Sequence, residues 1–268
     1  MTMMLAPDRL DRRALALLDL RDTFGRRVRS PVLVTGDGVR TVTKDDGTIA
    51  VLDAAGFAAH AAAFATPPAA PALGSKSIAL TITPADHRLQ ARGFVLMLPR
   101  DPDPAKAAQA DSLFRPAEVM LLASPLQRRE ALACVVRVTV RRKSDGALVG
   151  KALVRARSDD GRFEAIAVTD RLGEAALVFA NLPVAFAGAG ATAEAELAAK
   201  AIVKVHPAKA LFTPAEDAAS AYGVRARDAG IVDPDQLASG PAPSFANGTP
   251  VKLSAGTEPA ITLEWKQP

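Results

Sequence analysis

Short apolar runs rich in Val, Leu, Ile and Ala recur along this chain, and each is cut off within a few residues by an Asp-Gly, Gly or Pro turn. That rhythm leaves room for strands and almost none for long helices. "LALLDL" at 15–20 leads through "RDTFG" into "RRVRSPVLVT", and "TVTKDDGTIAVLDA" reads as a hairpin closed by Asp45, Asp46 and Gly47. "KSIALTIT" and "ARGFVLMLP" flank "PADHRLQ". In the second half, strands are expected in "AEVMLLASP", on both sides of the Asp-Gly turn in "ALACVVRVTVRRKSDGALVGKALVRARS", in "FEAIAVTDRLGEAALVFANLP" and "AKAIVKVHP", and in the closing "TPVKLSAGTEPAITLEW". Helix is expected over a turn or two of the Ala-rich stretch at 53–65, which "TPPAAPALG" stops, and over one turn at "PAEDAASAYG".

The fold class predicted is all-β: two antiparallel sandwiches with long loops and little helix. The polar, Pro-containing stretch at 105–115 is read as a linker between an N-terminal sandwich at 1–104 and a second at 116–268. Long loops are placed at 53–75 and 207–248.

The two halves read as a repeat. Laying "FGRRVRSPVLV" on "DGALVGKALVR" matches Gly25 with Gly146 and Val28 with Val149. Laying "TVTKDDGTIAV" on "IAVTDRLGEAALV" matches Thr43 with Thr169 and Gly47 with Gly173. Gly supplies positive φ and Asp bonds its own backbone, so Gly25, Asp45, Gly47, Gly146, Asp170 and Gly173 are read as turn residues rather than chemical groups, with Thr169–Gly173 closing a β-hairpin.

Composition narrows the functions. The chain is 49% hydrophobic but 4% aromatic, with one Trp, Trp265, expected against a core, and one Tyr, Tyr222. Stacking platforms for sugars or single-stranded nucleic acid are therefore scarce. A formal charge of +4 is a mild excess, and Arg137, Arg141 and Lys143 alternate with Val138 and Val140 as the solvated face of a strand does. No nucleic-acid partner is expected. Cys134 lies in apolar "ALACVVRV" and reads as a small buried hydrophobe. No stretch approaches the ~20 apolar residues of a membrane span, and Asp8, Asp11 and Asp19 interrupt the only apolar start. The expected location is the cytoplasm, or a particle released from the cell.

Chemistry finds little foothold. His60, His87 and His206 are scattered without metal spacing, and "GAGATA" at 188–193 lacks the strand–helix setting of a dinucleotide site. The acidic clusters "KDDG", "SDDG" and "DPDQ" have the form of turns, with calcium as the less favoured alternative. No cofactor, metal, small-molecule substrate or catalytic residue is expected.

The second half resembles the carboxypeptidase regulatory-like family, the transthyretin-like and immunoglobulin-like sandwiches. The matching residues are "SDGALVGKALVRA", "AVTDRLGEAAL" and "NLP" at 181–183. The resemblance covers residues 130–206 and implies a seven-stranded antiparallel sandwich without a catalytic site. A second phrase, "ITPADHRLQARGFVLMLPRDPDP" at 82–104, resembles β-sandwich proteins of phage-tail-like contractile injection systems through Pro84, Asp86, Arg88, Leu89, Phe94, Leu96, Leu98 and Pro99, with Gln90 and Ala91 departing from the pattern. That resemblance implies a non-enzymatic tail cap, cap adaptor or sheath- or tube-associated part. Its partners would be other protein subunits, copies of itself included. Contacts are expected at Arg12, Arg13, Arg26 and Arg27 and on the loop around Tyr222. The alternative is a carbohydrate- or surface-binding accessory module.

Overall fold

A computed structural model describes residues 14–62, 68–130, 133–157, 162–180, 182, 199–207, 231–235, 249–253 and 256–265. Its strands fall into two groups of seven. The first holds β1 (Ala16–Arg21), β2 (Val32–Gly36), β3 (Arg40–Thr43), β4 (Ile49–Asp53), β5 (Lys76–Pro84), β6 (Arg92–Leu98) and β7 (Ala117–Met120). The second holds β8 (Cys134–Arg142), β9 (Ala152–Arg157), β10 (Glu164–Val168), β11 (Glu174–Phe179), β12 (Ala199–Pro207), β13 (Thr249–Leu253) and β14 (Ala260–Trp265). A short helix, α1 (Ala58–Ala62), packs near β4.

Each group makes two facing sheets. The first has β3-β4-β1-β7 over β2-β5-β6, and the second has β11-β8-β14 over β10-β9-β12-β13. Alternate residues of the facing strands supply the cores. Leu18, Leu20, Val51, Leu80, Ile82, Leu96 and Leu98 fill one, and Val136, Val138, Val140, Val154, Leu177 and Leu253 fill the other.

Numbered within its own unit, each strand of one sandwich has a counterpart in the other. In both, the first strand pairs with the fourth and the seventh, and the second with the fifth, which pairs with the sixth. The third strand is the difference. β3 pairs with β4, whereas β10 pairs with β9 in the opposite sheet. The turns matched in the sequence occupy equivalent places: Gly25 and Gly146 follow the first strand, and Gly47 and Gly173 precede the fourth. All four have positive φ, between 68° and 83°.

Three expectations need correction. The sandwiches are not wholly antiparallel, because β7 runs parallel to β1 and β14 parallel to β8. Successive strands alternate in direction, so a seventh strand laid beside the first points the same way. Second, Thr169–Gly173 does not close a hairpin: β10 belongs with β9 and β11 with β8, so this turn carries the chain between sheets. Third, Ala117–Met120 pairs with β1 rather than opening the second sandwich. The stretch before it folds back on the first unit: the Asp101 amide donates to the Asp111 carbonyl, the Leu113 amide donates to the Asp101 carbonyl, and Ser112 is buried. Arg100 holds this fold-back through the carbonyls of Ala110, Ser112 and Arg115.

Candidate functional site

The chain between β7 and β8 does not hang free. Leu121, Leu122, Ala123 and Ser124 are buried between the two sandwiches. β11 shows how the sequence arranges this: Ala175, Leu177 and Phe179 face the inner core, while Ala176 and Val178 face outward and are equally buried. They meet Ala123, Ala133, Val135 and, from the first unit, Phe24. On the other sheet of the second unit, Leu153 and Val168 turn outward onto Leu122, with Ile166 and Val232 at the margin. Strands covered on both faces read as continuous apolar runs instead of alternating ones.

Polar contacts fix the alignment of this junction. Arg26, in the β1–β2 turn, places two guanidinium nitrogens 2.7 and 3.0 Å from the Glu130 carboxylate, also donates to Asp22, and lies over the Phe24 ring at 4.4 Å. Arg137 of β8 donates to the carbonyls of Pro125 and Gln127 and to Glu258. Ser124 donates its amide to the Arg88 carbonyl and its hydroxyl to that of His87. Gln90 donates its side-chain amide to the Val168 carbonyl at 2.8 Å, while its backbone amide donates to Leu122. Residues 86–92 of the 82–104 phrase thus form much of the first unit's side of the junction.

The most developed polar site lies on the outer edge of β6, where residues 231–235 cover it. Arg92 is 3% exposed. It donates to the carbonyls of Gly93 and Met120, and with its second terminal nitrogen to Asp233 at 3.0 Å and Asp235 at 2.6 Å. The Gly93 amide donates to the Val232 carbonyl at 2.9 Å. A Cβ on Gly93 would sit 3.1 Å from the Asp233 nitrogen, so the absence of a side chain there is what lets the segment approach. Pro234 is buried in the contact. "DPDQ", read from sequence as a turn in a long loop, is here a charged anchor. Arg92 was not singled out, although an Arg-Gly pair opening an otherwise apolar strand is the signal that would have marked it.

The turn residues divide. Asp170 accepts from the amides of Leu172 and Glu174. In the first unit Asp46, and not Asp45, does this work, accepting from the amide and hydroxyl of Thr48. Thr169 is the residue sequence reasoning undervalued: buried, it donates its hydroxyl to the Val149 carbonyl and accepts from the Ala152 amide, sewing the switch turn to the start of β9. Arg27 is bound to the buried Asp19, which Arg21 also contacts. The Arg27 hydrogen bond, assisted by Arg21, holds that carboxyl below its ordinary range despite burial. Arg12, Arg13 and Tyr222 lie outside the described residues, as do the side chains of His206 and Trp265.

Other features offer less. Cys134 is fully buried, with its sulfur 3.4 Å from the Thr257 hydroxyl. A cavity of about 50 Å³ lined by Leu15, His60, Leu73, Pro99, Arg100 and Leu113 has room for a few waters. Among the described residues no three His, Cys, Asp or Glu side chains converge as metal ligands, and no helix is long and apolar enough to cross a membrane. The edges are more distinctive. The four edge strands of the first sandwich each carry one large exposed apolar side chain: Leu33 on β2, Val42 on β3, Met97 on β6 and Met120 on β7.

No protein-family model matches the chain, and no curated protein matches it. A solved structure, the Bacillus anthracis TIE protein, aligns over 95% of this chain and 34% of its own, at 11% identity and a TM-score of 0.25. At that score neither fold nor function transfers.

Proposed function

We propose that this chain is a non-enzymatic, self-associating or adaptor component of a contractile, phage-tail-like particle. It works through interfaces formed by two joined β-sandwiches, the second of carboxypeptidase regulatory-like kinship. The observation that carries the interface reading is the exposed apolar residue on every edge strand of the first unit. Sheet edges offer unpaired amides and carbonyls, and proteins that remain single blunt them with charge, bulges or covering segments. Here Leu33 stands 62% exposed on an edge whose backbone is unpaired on one side, a surface suited to strand addition from a neighbouring subunit. The junction between the sandwiches supports the same reading, since a spacer that transmits position needs its two ends held in fixed relation.

The particle setting rests on the likeness of the 82–104 phrase, whose Asp86–Arg88 turn presents the Arg88 carbonyl to the Ser124 amide at the junction. The test is fractionation of cells that make the protein. The chain should sediment with large contractile particles and be visible on them by antibody labelling in the electron microscope. Recovery in the small-protein fraction alone would overturn the particle setting.

A further inference from the structure

The Arg92–Gly93 edge is a built peptide site, and the chain fills it with its own residues 231–235. Three separate elements recognise that segment. The buried guanidinium is held in place by the carbonyls of Gly93 and Met120 and presents its remaining edge to Asp233 and Asp235. The Gly93 amide donates to the Val232 carbonyl. Val232 itself enters the apolar cluster of Leu122, Leu153 and Val168. The specificity is therefore for an aliphatic-Asp-Pro-Asp peptide that enters a helical turn at Pro234, with the Asp233 carboxylate accepting from the Asp235 amide, read through charge, backbone and one apolar side chain.

We infer that this site accepts the same segment from a second copy of the chain, so that two molecules are linked by exchange of residues 231–235. The donor segment is tethered to β12 and β13 by residues 208–230 and 236–248. The shorter tether bounds the segment's reach from β13 at about 45 Å, at roughly 3.3 Å per residue. Every contact of the filled site joins residues that both copies possess. An exchanged pair therefore retains all of them, and the added cost is association alone, which falls where copies are concentrated by an assembly. This inference rests on the self-association in the proposed function and is independent of the particle.

Two full-length variants test it. Arg92→Glu removes the acceptor, and the double substitution Asp233→Lys with Asp235→Lys removes the donor. Neither can fill its own site or pair with itself through it. Mixed, the intact segment of the first meets the intact site of the second, and light scattering is expected to find a one-to-one heterodimer absent from either solution alone. A fluorescent peptide of residues 228–238 should bind the donor variant at least about tenfold more tightly than the acceptor variant. Gly93→Val provides a second blocked acceptor that keeps Arg92, in case the buried charge reversal does not fold. A mixture that remains two monomers, with folded variants, overturns the inference whatever the peptide does. Wild-type oligomers alongside such a mixture would leave self-association standing through other edges, and heterodimers without particle sedimentation would overturn only the particle setting.

Discussion

Thr169 and Asp19 concentrate more structural consequence than any candidate chemical group. The Thr169 hydroxyl bridges the Val149 carbonyl and the Ala152 amide inside the protein. Thr169→Val keeps the shape and leaves both unpaired, an expected loss of about 2 kcal/mol in chemical denaturation. Asp19 is held below its ordinary carboxyl range by Arg27 and Arg21. A carboxyl depressed in the folded state contributes stability that is present above its unfolded value and is lost as pH falls through the folded one. Stability should therefore decline from about pH 4 downward, and Asp19→Asn should flatten that acid limb while lowering stability at pH 7. Urea midpoints across the pH range check both. Residue identity was legible where the backbone dictates it, at Gly25, Gly47, Gly146 and Gly173. It was not legible at Asp45 against Asp46, since neighbouring Asp residues in a turn compete for the same amides and only geometry decides between them.

At the scale of elements, the turn before the fourth strand is where the two sandwiches diverge. In the first it closes the β3–β4 hairpin, and in the second it crosses from one sheet to the other. Both versions need Gly in the left-handed region, yet their surroundings differ. At Gly173 a Cβ would lie 2.7 Å from the Val140 carbonyl oxygen, whereas at Gly25 nothing lies within 4 Å. Gly25→Ala should cost about 1 kcal/mol for its φ alone. Gly173→Ala should cost clearly more, by at least about another 1 kcal/mol, because backbone must move; thermal unfolding of the pair measures the difference. Strands and their order were readable from the apolar runs and turn residues. Pairing across sheets was not, because "VTDRLGE" satisfies a hairpin and a sheet crossing equally until Thr169 finds its partners on the other side. β11 carried a clue in "EAALVF": its unbroken apolar run matches a strand covered on both faces.

For the whole molecule, the junction decides whether two sandwiches behave as one body. Buried Val178 and Ala176 meet Ala123 and Phe24 there, and Arg26, Gln90 and Arg137 supply the polar ties. Wild type should unfold in one calorimetric transition. Val178→Asp buries an unpaired carboxylate in that contact and should split the transition in two. The boundary was misplaced in the sequence because the polar stretch at 105–115 resembles a linker until its carbonyls are found bonded to Arg100 of the first unit, whereas the joint itself begins at Leu122 and Ala123 after β7. The open edges of the first sandwich then set the behaviour in solution. The measurement that bears most directly on an interface role is light scattering of the wild-type chain across a concentration series. The mass should rise above the 27.9 kDa of one chain and fall back when Leu33→Lys places a charge on the β2 edge. A constant mass of one chain at every concentration would contradict self-association.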